Sequence, residues 1–406
     1  MALFQSLTTF FRRHKRKLLF ASAASISIYF LVNQFVIKRF LKFQNALKQE
    51  LFVKEQIRRR FIQTQTDCYL TILALLPVLT KPVFSYLPTE TITAALKKKK
   101  NPNREMSDSL TTENLIAYTE DPTSSQNLEM LQFLNKSKVE LWHDLKIKSI
   151  TRMLALIYST SGLLLLTRLQ LNILARKSYL ELAIAMAGGS VVAKSADSFT
   201  YFVEQSYLSL SWWLLHHGWL RMTDTLDALV EKKFKDINPK MELSVETFRQ
   251  ILLDINTEAL APGNSELFLH LIFPVEYNTL IDTVMNTNPE LVNELDNKDS
   301  DLVKLINETN FIISNDFTRD VYAALIQSGV DTLCDNILHV LNANGDTTRV
   351  SKLATFLAQL SIQSTVISDP HGYGEDGEVT GNSFMTNIND VPELDEFSAS
   401  IYSNFE

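Results

Sequence analysis

Leu, Ile and Val recur at three- and four-residue spacing along most of this chain, the period of a helix face turned toward a core. The pattern predicts helices over 40–67, 68–87, 136–149, 150–187, 206–220, 244–260, 265–285, 301–315, 318–343 and 347–366, with a short one following residue 89. Only 11 Gly and 11 Pro punctuate 406 residues, too few for the many tight turns of a barrel or sandwich. The fold class expected is all-α: a single helical bundle over 38–366. Its central element is the stretch 150–187, the most apolar after the N-terminal segment, read as a helix covered by neighbours on most faces. Arg152 and Arg168 bracket only about 15 uncharged residues there, short of the roughly 20 that a membrane span needs. Pro77, Pro82 and Pro88 interrupt 68–87, which suits a buried helix ending in a turn.

Two stretches break the pattern. Residues 97–136 are polar and punctuated by Pro, the composition of a mobile loop. Residues 367–406 carry nine acidic residues and no Lys or Arg, which predicts a largely disordered tail whose last residues, "FSASIYSNF", are apolar enough to dock.

Residues 18–37, "LLFASAASISIYFLVNQFVI", hold no charge and match the length of one transmembrane helix, with a short basic peptide, 1–17, before it. A basic flank, "KRFLK", follows the run immediately, which fits an anchor better than a cleaved signal peptide. Both flanks are basic, so charge bias does not orient the anchor. The mass of the following domain and its two cysteines, Cys68 and Cys334, place that domain in a reducing compartment, the cytosol. The overall charge of −7 is divided: residues 1–60 hold 13 basic and 2 acidic residues, and the remaining 26 basic and 44 acidic residues give a body of −18. The basic end suits a lipid bilayer; the acidic body argues against nucleic acid.

Catalytic constellations are missing. "AGGSVVAKS" lacks the spacing of a phosphate loop, and His216 and His217, being adjacent, point to different sides of a helix. "DNKDSD" lacks the glycine and closing glutamate of a calcium loop. The expectation is a protein that is not an enzyme and needs no cofactor or metal. A membrane-anchored binding protein remains, and an all-α receptor takes a partner helix most cheaply in a furrow between two of its own helices. Trp142 stands out in this light, a single tryptophan in the charged helix "KSKVELWHDLKIKS" (136–149). Lys138, Trp142, Leu145 and Ser149 fall at i, i+4, i+7 and i+11, one face of that helix.

Several ordered blocks resemble the peroxin-3 family: "FFRRHKRKLLF", "EQIRRRFIQTQTD" with "LLPVL", "ELWHDLKIKSITR", "IYSTSGLLLLTRLQLNIL", "YLSLSWWLLHHGWL" and "SIYSNF", the last two resembling its fungal branch. They run from about residue 11 to 220 and return at the C-terminus; 221–395 matches only in helical character. The resemblance implies a twisted all-α bundle around a long helix, on the cytosolic side of a peroxisomal membrane, with the N-terminal peptide in the organelle lumen. It leaves open whether the anchor arrives by way of the endoplasmic reticulum. It implies docking of peroxin-19, a chaperone for peroxisomal membrane proteins, whose amphipathic N-terminal helix enters a groove; cargo is met only indirectly. On matching motifs, Trp142, Lys138 and Leu96 in "TAALK" stand for the groove tryptophan, lysine and leucine, with Leu145 added from spacing alone. A second role implied for fungal members is a tether for inheritance factors, myosin and selective-autophagy receptors.

Overall fold

The computed structural model describes residues 38–100, 133–186, 198–341, 350–371 and 382–404. In chain order the helices are α1 (Lys38–Tyr86), α2 (Thr89–Lys100), α3 (Lys138–Met186), α4 (Ser198–Leu208), α5 (Trp219–Phe234), α6 (Val245–Ala259) and α7 (Asn264–Ile272). They continue as α8 (Tyr277–Thr287), α9 (Asp301–Ile313), α10 (Asp316–Leu341), α11 (Leu353–Ser368), α12 (Ser383–Asn389) and α13 (Pro392–Ser403). A two-residue antiparallel pair, β1 (Glu242–Leu243) on β2 (Ser351–Lys352), precedes α6 and α11. The all-α expectation is borne out. The proposed membrane segment 18–37, the peptide before it and most of the loop 97–136 lie outside the described residues.

The chain divides into two units, Met1–Gln63 and Thr64–Glu406. In the first, α1 carries an i,i+4 ion pair, Arg59 Nε to Glu55 Oε1 at 2.9 Å. The second is organised by α3, 49 residues long, against which α2, α5, α10, α11 and α13 all pack. Its apolar stretch is buried by these neighbours, the outcome expected of a core helix. Within this unit α1 runs antiparallel to α3: Gln65 Nε2 donates to Asn172 Oδ1 at 2.8 Å, whereas Leu87, beyond its other end, meets Arg152.

Pro77 and Pro82 do not end α1, which continues to Tyr86 and stops just before Pro88. Each proline removes one helix hydrogen bond, but Leu76, Leu79 and Val83 are fully buried, and this packing holds the segment helical. The single helix expected over 265–285 is two, α7 and α8, because Pro274 falls between them. The segment 206–220 is less regular than expected: a π-helical turn at Leu214–Gly218 joins α4 to α5. Gly218 is required there, since a Cβ would run into the carbonyl oxygen of Leu271 in α7.

The tail corrects the sequence reading. Instead of a largely disordered 367–406, α12 and α13 occupy 383–403 and bury Phe384, Met385, Ile388, Leu394, Phe397 and Ile401. Asn382 caps α12 by accepting from Met385 N at 2.9 Å, and its amide donates to the carbonyls of Ile367 and Asp369. The strongly acidic composition concealed this because α13's acidic residues Glu393, Asp395 and Glu396 lie on its exposed side, leaving an apolar stripe for the core.

Candidate partner-binding site

Ser137 and Glu140 start α3 with a reciprocal capping box: Glu140 N donates to Ser137 Oγ at 3.2 Å, and Ser137 N to Glu140 Oε2 at 2.6 Å. This fixes the direction of the first turn, which carries Lys138 and leads directly to Trp142. The capping bond from Ser137, with Lys136 and Lys99 nearby, holds the Glu140 carboxyl below its ordinary pKa. Lys136 is engaged by Asp144 Oδ2 at 2.6 Å and lies over the Phe133 ring at 5.5 Å.

The residues chosen from sequence descend along this face into the bundle. Lys138 is exposed, Trp142 is half-buried against the core, and Leu145 is 8% exposed. Ser149, one turn deeper, is fully inside. The structure therefore places Leu145 in the core; of this face, Trp142 and Lys138 are the residues that meet solvent. Leu96, from α2, is 7% exposed, also within the core, on a helix that packs against α3. Lys99 Nζ donates to the carbonyl of Lys136, so the end of α2 is clasped to the residues preceding α3. Two helix ends separated by a long stretch of sequence thus meet, carrying Leu96 and Lys138 to the same end of α3.

Sequence reasoning passed over Val139, an apolar residue 80% exposed beside Lys138. Sequence carries no signal for it, since single apolar residues are common on helix surfaces and only the structure shows this one exposed. The capping box, by contrast, was legible as S-x-x-E. Behind the site, Lys146 is buried and donates to three carbonyls at the end of α5, among them Ile237 at 2.9 Å and Lys235 at 3.2 Å. Burial lowers its pKa, and these carbonyls at the negative end of the helix hold its ammonium. Lys148 and Thr151 bind Asp227 of the same helix, at 3.2 and 3.0 Å. These contacts fix α5 against α3.

Deeper along α3, Arg152 donates to Glu90 Oε2 at 2.7 Å and lies over the Phe84 ring at 4.7 Å, joining α2 and α1 to the core helix. Arg168 donates to Asn389 Oδ1 at 2.7 Å and to Gln65. Arg176 donates to Ile401 O at 3.2 Å and to Glu308. Cys68 and Cys334 are buried, their thiols pushed up to about 12 mainly by burial. No group of three or more His, Cys, Asp or Glu placed to hold a metal occurs among the described residues.

A bundle whose buried arginines join its helices, with an indole half-buried and a valine and a lysine exposed at one end of its core helix, defines a class: an all-helical protein built around one long buried helix. Comparison with known proteins gives the family. The model of the Peroxin-3 family matches residues 9–404, and the chain belongs to that family. Its resemblance therefore extends through 221–395, beyond the blocks recognised in the sequence. Peroxisomal biogenesis factor 3 of Debaryomyces hansenii is 51% identical, with all of both chains covered. The proteins named peroxisomal membrane protein PEX3 from Komagataella phaffii and Komagataella pastoris are each 31% identical, covering 97% of this chain and 98% of theirs. The family role is peroxisome biogenesis.

Proposed function

We propose that this protein is the membrane docking receptor for peroxin-19, receiving its amphipathic N-terminal helix beside Trp142 and so admitting peroxisomal membrane proteins to the membrane. The observation carrying this reading is the half-buried Trp142 between exposed Lys138 and the packed core. A partner helix would complete the burial of the indole and cover Val139, and the capping box and the Lys146 contacts fix the receiving turn before the partner arrives. Preorganisation of this kind reduces the ordering cost of association. Lys138 is free to meet a carboxylate on the partner, whereas Leu96 and Leu145 support the site from beneath. The protein acts without catalysing a reaction, held by the 18–37 anchor in a single pass with its bulk on the cytosolic side.

The test is titration of a peptide copying the N-terminal helix of the same organism's peroxin-19 into the full chain in detergent, followed by tryptophan fluorescence. The expected result is a saturable change that disappears in Trp142→Phe. Absence of binding, or binding with an unchanged signal in Trp142→Phe, would refute the site. The second reading, a tether for inheritance and autophagy factors, uses other surfaces, such as the π-helical turn where exposed His216 stacks on Trp212 at 4.3 Å. It predicts partners whose capture survives Trp142→Ala.

A further inference from the structure

Most exposed aromatic side chains in the unit Thr64–Glu406 have a partner of their own. The Tyr86 hydroxyl donates to Asp224 Oδ1 at 2.7 Å, that of Tyr277 donates to Asp296, and the Phe317 ring lies 6.3 Å from that of Phe397. Tyr201, 70% exposed, and Phe311, 76% exposed, have no such partner among the described residues. Both stand at one end of the bundle. Gln170 Nε2 donates to the carbonyl of Tyr207 at 2.7 Å, and Lys177 Nζ lies 3.7 Å from Glu204 Oε1, so α4 runs antiparallel to α3. It carries Tyr201 past Lys177, toward the C-terminal end of the core helix. On α9, which packs against α4, Glu308 accepts from Arg176, and Phe311 follows within one turn. The chain also enters the unit at this end, since Gln65 meets Asn172 and the residues before it lead back to 18–37.

Single apolar residues on a surface are ordinary and need no explanation. The charges beside these rings argue for more. Residues 61–406 carry 26 basic and 44 acidic side chains, a strong acidic excess. Yet among the described residues, every carboxylate within one turn of Tyr201, Phe311 or Phe317 is matched by a cation. Lys177 faces Glu204, Arg176 holds Glu308, and Arg319 lies 2.9 Å from Asp316 and 3.6 Å from Asp320. Charges tolerate a region of low dielectric only when paired, so this end of the bundle is fitted to lose water. Its cations are already engaged, which leaves apolar contact rather than charge to hold whatever covers the rings.

Resting on the anchoring reading above, we infer that this end of the bundle is a second membrane contact, in which Tyr201 and Phe311 enter the headgroup region of the bilayer that holds the anchor. The ligand is the neutral glycerophospholipid interface. An apolar face at that boundary sinks about 5–10 Å, within reach of two aromatic side chains. Tyrosine suits the position, its ring apolar and its hydroxyl left among the headgroups. The contact sets the attitude of the bundle: with the C-terminal end of α3 on the bilayer, the end that carries Trp142 is turned away from it.

The experiment places the full chain in phosphatidylcholine vesicles with a bimane label at Tyr201→Cys, at Phe311→Cys or, as a control, at Ile362→Cys. Ile362 is exposed on α11, where neighbouring Ser364 meets Met153, far along α3 from Arg176. Cys68 and Cys334 are buried, so the introduced thiol is the one that reacts. Doxyl-labelled phosphatidylcholine should quench the labels at 201 and 311 on the order of threefold more than the label at 362. The difference should persist from about 30 mM to 500 mM NaCl, because an apolar contact is not screened. With Tyr201→Ser and Phe311→Ser together, a label at Phe317→Cys should lose its quenching while the chain melts as before, since only exposed side chains have changed. A chain retained in alkaline carbonate with all labels quenched alike would overturn the contact and leave the anchor standing. Release into carbonate would overturn the anchor and the contact with it. Labels untouched by doxyl lipid, with Phe311→Cys cross-linking between two chains, would assign the face to a second copy and overturn the bilayer.

Discussion

Truncating Lys138, Trp142 and Leu145 one at a time to alanine separates folding from binding along a single helix face. Lys138 is exposed and unpaired among the described residues, so its loss should change stability by no more than about 0.5 kcal/mol, the range for surface substitutions. Trp142 is half-buried: a fully buried Trp→Ala change costs about 3–5 kcal/mol, so roughly 2 kcal/mol is expected here. Leu145 is 8% exposed and packed in the core, so Leu145→Ala should cost about 2–5 kcal/mol. Binding should follow a different order: about 2–4 kcal/mol lost at Trp142 if the indole is a hot spot, and about 1 kcal/mol or less at Lys138, where a solvated charge acts. Leu145→Ala should weaken binding only as far as it loosens α3. Urea unfolding of each variant, paired with peptide titration, gives both axes. The reasoning is refuted if Trp142→Ala unfolds the domain as deeply as Leu145→Ala while the folded fraction binds normally, for Trp142 would then be a core residue with no part in docking.

Three further outcomes test the architecture. Arg168 is buried where α1, α3 and α12 meet, so Arg168→Met strands the acceptors on Asn389 and Gln65 and should cost about 3 kcal/mol; hydrogen exchange should rise first across 383–403, whereas Asp395→Asn, at an exposed carboxylate 3.4 Å away, should cost under about 1 kcal/mol. Glu90 has opposing influences, burial raising its pKa and the Arg152 guanidinium lowering it, with a net shift below the ordinary 4.5. Its folded-state pKa being depressed, the pair's contribution is present above pH 4.5 and lost as pH falls through the lower folded value; thermal melts from pH 6 to 3 should lose this component in Glu90→Gln. Cys68 and Cys334, with thiols near 12, should resist a thiol-exchange reagent at pH 8 in the folded chain and react fully in denaturant; rapid labelling of either in the native protein would contradict their burial.

Periodicity and composition were enough for the class of fold, because a helix needs only local information: spacing of apolar residues, a capping serine, a proline that ends it. The central helix was readable for the same reason, as Arg152 and Arg168 made its apolar run too short for a span, and both prove to be buried joints between helices. Trp142 and Lys138 stood out because an indole in a charged turn is locally anomalous. What the pattern missed depends on contacts distant in sequence. Pro77 and Pro82 remain helical because buried neighbours hold them, and the acidic tail folds because Arg168, Arg176 and the core helix provide it with partners more than 200 residues away. Leu145 looked like part of a groove floor from its spacing, but helical phase gives only the direction of a side chain; the neighbouring helices decide whether that direction leads to solvent or core. The clasp between Lys99 and Lys136 is of this kind as well. Sequence supplied the two basic ends, and only tertiary packing brought them together.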